Sequence, residues 1–143
     1  MPELPRKKVG LVSCSGEEMP EGTITRLATR KVLETLRPGE TVTICLPLFL
    51  AGGEGERSFT RCYPTITIDG CEKRCAAKGT EQLSSKPAVS IVVAELSGAP
   101  RGFGTARRLN DAGMEAVKTV AEIIAKNVDR LLSKNPGDRE REV

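Results

Sequence analysis

The sequence predicts an α/β domain in three layers: a mostly parallel, four-stranded sheet with helices on both faces, in a Rossmann-like or flavodoxin-like arrangement. Three observations predict it. Short apolar runs rich in β-branched residues alternate along the chain with stretches of helical spacing. Two of those runs, Lys8–Ser13 and Val89–Ala94, are apolar almost throughout, as strands covered on both faces are. The length of 143 residues gives room for one core and not for two. Right-handed crossovers between parallel strands make 2-1-3-4 the expected order.

Taken in order, Lys8–Ser13 reads as the first strand, ended by Ser15 and Gly16. A helix is expected from about Thr23 as its cap, with Ile24, Leu27, Ala28, Val32 and Leu36 on one stripe, until Pro38 and Gly39 stop it. Thr41–Leu46 alternates and reads as the second strand, ending at Pro47 with Cys45 near its C-terminal end. Gly52, Gly53 and Gly55 leave only a short helix between Glu54 and Arg61. Thr65–Ile68 is the third strand, stopped by Asp69 and Gly70. A brief helix is expected from Cys71 to about Leu83, and Val89–Ala94 makes the fourth strand. After a glycine-rich basic loop, Asp111 to Leu132 carries one apolar stripe through Val117, Val120, Ala121, Ile124 and Val128. Residues 1–134 are thus expected to form a single domain. The stretch 135–143 has almost nothing apolar to bury and is expected to be a disordered tail.

Composition narrows the chemistry. The net charge of +3 arises from 22 basic and 19 acidic residues spread along the chain, so no nucleic-acid or membrane footprint stands out. The apolar runs fall far short of the roughly 20 residues a membrane span requires. No signal-peptide pattern follows the basic N-terminus, so a cytoplasmic protein is expected. An odd count of five cysteines in a reducing compartment argues against a disulfide framework and for metal ligation or thiol chemistry. There is no histidine, which removes Ser-His and Cys-His pairs and mixed Cys/His zinc sites.

Four cysteines converge in this reading. Cys14 follows the first strand, Cys45 lies late in the second and Cys71 follows the third, all at the sheet edge where such folds place ligands. Cys71 and Cys75, four apart at a helix start, would bring their Cβ atoms to about 5 to 6 Å. Tetrahedral zinc, with zinc-sulfur bonds near 2.3 Å, sets sulfurs roughly 3.8 Å apart, a gap side-chain rotation can close. Cys14 and Cys45 would complete the shell. Lys73, Arg74, Lys78 and the helix start are expected to offset the surplus negative charge. Gly70 allows a tight turn towards the ion, and Asp69 is expected to cap the helix and orient the site rather than ligate. Cys62 lies before the third strand, about 20 Å from Cys71 at strand rise. It reads as a small buried or half-buried residue outside the site.

Asp69-Gly70-Cys71 followed by Cys75, with Cys14-Ser15-Gly16 after the first strand, resembles the DGC domain. The resemblance covers most of residues 8 to 132 in element order and is most specific over Thr65–Cys75. That family is described as a zinc-binding domain with four chelating cysteines and no assigned reaction. By position the resemblance implies Cys14, Cys71, Cys75 and Cys45 as ligands, and it is the main reason to favour zinc. Four thiolates also suit an iron-sulfur cluster. A closed shell leaves no open position for catalysis, so a metal-binding module is expected rather than an enzyme. The competing reading is a thiol redox relay with Cys71 as nucleophile and Cys75 or Cys14 resolving it. The basic loop Ser97–Arg108 matches neither the Walker spacing nor the G-x-G-x-x-G fingerprint, so no nucleotide is assigned to it.

Overall fold

The computed structural model describes residues 8–96 and 102–133. Strands β1 (Val9–Ser13), β2 (Thr41–Thr43), β3 (Thr65–Asp69) and β4 (Val89–Val92) form one sheet in the order β2-β1-β3-β4, with every pairing parallel. The helices are α1 (Pro20–Lys31), α2 (Leu46–Ala51), α3 (Glu54–Arg57), α4 (Phe59–Cys62), α5 (Cys75–Leu83) and α6 (Asp111–Ser133). The three-layer α/β fold and its strand order agree with the sequence reading. Among the described residues, no helix is long and apolar enough to cross a membrane.

The pleat divides the core in two. Val9 and Leu11 of β1 with Ile66 and Ile68 of β3 face α1 and α6, where Ile24, Ala28, Val120, Ile124 and Val128 close over them. Val12 points the other way, into a smaller cluster with Leu46 and Phe49 of α2 and Ala76 of α5. Alternate residues of β3 therefore serve different layers. Asp69 falls on the α5 side, and so its carboxylate can reach the start of that helix.

Three boundaries and the exposure of one cysteine differ from expectation. Helix α1 begins at Pro20 rather than near Thr23, since a proline whose φ is already helical suits the first position. Thr23 instead donates its hydroxyl to the carbonyl of Ala106, 2.5 Å away. Strand β2 ends at Thr43, the last residue registered against β1, opposite Leu11. Cys45 therefore sits not in a strand but just ahead of α2, whose first turn holds Pro47. Helix α5 begins at Cys75 rather than Cys71, and residues 71–74 form a turn closed by the Arg74 N–H on the Cys71 carbonyl. Cys62, expected to be buried or half-buried, is exposed at the end of α4. The tail expected at 135–143 lies outside the described residues.

Candidate metal centre

The strand order reverses between β1 and β3; the loops leaving those two strands carry Cys14 and Cys71, and Cys75 opens α5. Crevices at such a switch point are where open α/β sheets hold ligands. A cavity of about 490 Å3 opens there, lined by all three cysteines together with Gly16, Glu17, Glu18, Gly70 and Lys73. Two of the three sulfur-bearing residues, Cys14 and Cys71, are half-buried, and Cys75 is exposed.

Close backbone approach brings the two loops together. A Cβ on Gly70 would lie 3.0 Å from the Glu21 carbonyl carbon and from the Gly22 nitrogen. One on Gly22 would overlap the Gly16 backbone. Glycine at these positions lets the loop after β3 rest directly on the start of α1. As a result the Gly70 N–H points at the Cys14 sulfur, at 3.4 Å, while Thr25 Oγ1 lies 3.8 Å from the same atom.

Asp69 fixes the other side of the site. Its two carboxylate oxygens accept the N–H groups of Ala76 (2.7 Å) and Ala77 (3.1 Å), so the last residue of β3 caps α5 from seven positions upstream. Burial pushes its carboxyl above the usual carboxylate range, while those two N–H donors and the charge of Arg74 pull it the other way. The capping role expected for Asp69 is present, but the helix it caps starts at Cys75.

Backbone strain gathers at the same place. Among the described residues only Ser15 (φ 51°) and Arg74 (φ 53°) are non-glycine residues with left-handed backbone, a conformation costing roughly 1–2 kcal/mol each. Ser15 follows Cys14 directly and Arg74 directly precedes Cys75. Such strain concentrates where geometry serves function. Of the basic residues expected near the sulfurs, Lys73 lines the cavity, whereas Arg74 turns away to donate to Ser90 Oγ at 2.7 Å.

The structure thus brings Cys14, Cys71 and Cys75 to one cavity. Cys45 stands exposed at the foot of α2 and is not among the lining residues; Cys62 is likewise outside it. Three soft sulfur donors around one cavity suit a thiophilic ion such as zinc. Among the described residues, however, no three cysteine, aspartate or glutamate side chains are gathered closely enough to hold an ion as they stand. The sequence reading missed Glu17 and Glu18, which line the cavity as well. Their adjacency to Cys14-Ser15-Gly16 was the available signal.

Fold and site together define a doubly wound α/β domain with a thiol-lined crevice at its switch point. The chain belongs to the DGC domain family, whose model matches residues 10–120. No curated protein and no solved structure matches it.

Proposed function

We propose that the protein is a metal-binding module that takes up one zinc ion through Cys14, Cys71 and Cys75, with Cys45 as the fourth ligand. The observation that carries this reading is the meeting of three cysteines, from the segments that follow β1 and β3, on a single cavity. The sulfurs must move closer to share an ion, and the energies involved allow it. Resetting a side chain away from its preferred rotamer costs about 0.5–1.5 kcal/mol. Structural zinc contributes apparent binding energies of about 10–16 kcal/mol in zinc-finger peptides. A few rotations and a shift of the 71–75 turn are small beside that.

Glu17 and Glu18 favour a second form of the shell. Both line the cavity that Cys45 does not, so an oxygen donor in the fourth position is the competing arrangement. All five cysteines are free thiols, which fits residence in a reducing cytoplasm. The role served is holding, sensing or delivering the ion rather than a reaction.

Purification without reductant or added metal, followed by elemental analysis, tests the proposal. About one zinc per chain is expected, with Cys14→Ser, Cys71→Ser and Cys75→Ser each lowering affinity at least about tenfold, as lost ligation requires. Cys62→Ser should change nothing. Loss on Cys45→Ser assigns the fourth ligand to the thiol; loss on Glu17→Gln or Glu18→Gln assigns it to oxygen. Iron with visible absorption, or a metal-free chain cycling between dithiol and disulfide, would replace zinc with the cluster or the redox relay.

A further inference from the structure

A second cavity, of about 410 Å3, adjoins the thiol-lined one and shares Gly16 and Glu17 with it. The rest of its wall is Thr23, Arg26, Ala106 and Arg107. We propose that this cavity is an anion-binding site, taking a phosphate or carboxylate group of a small molecule, and that the two cavities are lobes of one crevice for a single anionic ligand. The anion site stands on its own residues; its union with the thiol lobe rests on the metal-binding reading above.

The wall carries two guanidinium groups and one carboxylate, so the lobe keeps a surplus of positive charge. Among the described residues neither Arg26 nor Arg107 has an ion-pair partner, unlike Arg30, Arg37 and Arg61, which pair with Glu34, Asp129 and Glu54. Two unpaired like charges on one cavity repel each other, and an anion between them relieves that repulsion. The planar guanidinium fork matches carboxylate and phosphate in shape as well as charge. Helix α1 starts beside the lobe, with Met19 and Gly22 on the neighbouring wall, and its dipole adds to the same field.

The loop that presents Arg107 is held by its own bonds. Gly104 bridges to Leu109, and the Thr105 N–H bonds the Arg108 carbonyl at 2.9 Å while Thr105 Oγ1 accepts the Arg108 N–H at 3.0 Å. Asn110 caps α6 by accepting the Gly113 N–H and donates its amide to the Gly102 carbonyl, at 2.9 and 2.8 Å. Thr23 of α1 bonds Ala106 directly. Arg107 is therefore carried by a loop that is docked on α1 and lines the same cavity as Arg26. This gives the basic loop a purpose that needs no nucleotide fingerprint.

Amide NMR on the metal-free full chain tests the inference, with inorganic phosphate and citrate titrated separately against a chloride control of equal ionic strength. Saturable shifts are expected at Gly16, Thr23, Ala106 and Arg107. Response to phosphate assigns a phosphate-bearing ligand and response to citrate a carboxylate-bearing one. Arg26→Gln with Arg107→Gln should weaken binding at least about tenfold, because charge-assisted contacts are lost. Both side chains are exposed, so folding should survive the change. Glu17→Gln should tighten binding roughly threefold by removing the one opposing charge, which a merely structural role would not do. Arg30→Gln, outside the lobe on α1, should leave it unchanged. No saturable shift with either anion, or equal weakening by Arg30→Gln, overturns the site. Cys14→Ser with Cys75→Ser should abolish zinc uptake and spare anion binding. Anion binding by an unmutated chain that takes no zinc would refute the metal reading and the single-ligand crevice while leaving the anion site standing; zinc binding without anion binding would refute this proposal alone.

Discussion

The Ala76 N–H rests 2.7 Å from Asp69 Oδ1, so the strand that leads into the thiol crevice also begins the helix that leaves it. Asp69 is 1% exposed, which removes water as a substitute partner for the capped N–H groups. Asp69→Ala should cost about 1–3 kcal/mol, the penalty for stranding buried donors. Asn keeps one acceptor oxygen and should recover part of this. Urea midpoints check the loss, and an unchanged m-value would show that the denatured state is not its source.

If zinc binds the folded chain and not the unfolded one, adding it at about 100 times the dissociation constant should raise stability by about 2.7 kcal/mol. For a chain of this size each kcal/mol corresponds to roughly 2–4 °C in melting temperature. Calorimetry with and without a chelator measures the shift. It should vanish in Cys14→Ser with Cys75→Ser.

Gly22→Ala places a methyl group against the Gly16 backbone, which has no flexible end to yield. Overpacking of this kind typically costs about 1–3 kcal/mol. The loop carrying Cys14 must also shift, so zinc affinity should fall together with the melting temperature. Gly53→Ala, where a Cβ meets nothing, is the matched control.

Arg37 grips Asp129 with two bonds of 2.7 Å, tying the turn before β2 to α6. The guanidinium holds the Asp129 carboxyl below its usual range. A depressed carboxyl stabilises the fold above its unfolded pKa and loses that contribution as pH falls through the lower, folded value. The pair is half exposed, so after solvent screening it is worth about 0.5–1 kcal/mol. Acid titration of stability should show this loss below about pH 4, and Asp129→Asn should remove that part of the slope.

Much of this fold was legible from patterning. The β-branched run at Thr65–Ile68 and the stripe through Val117, Val120, Ile124 and Val128 each have one periodicity and one outcome, and strand order followed from handedness. What escaped was set by contacts between distant segments. Thr23 looks like a cap but bonds Ala106, eighty-three positions away. The start of α5 is dictated by Asp69 across the 71–74 turn, which no local propensity encodes. Cys45 reads as a strand residue because Thr41–Leu46 alternates, yet pairing with β1 stops at Thr43. The convergence of Cys14 and Cys71 was readable since both follow adjacent parallel strands. Arg26 and Arg107 were not, since only the docking of the loop on α1 makes them neighbours.

From the seam between β1 and β3 the polypeptide departs in opposite directions, through α1 to β2 on one side and through α5 to β4 on the other. Anything gripping Cys14 and Cys71 at once would act as a clasp across that parting. The two flanks would then have to come apart together, so cargo occupancy would be inscribed in the way the molecule unravels.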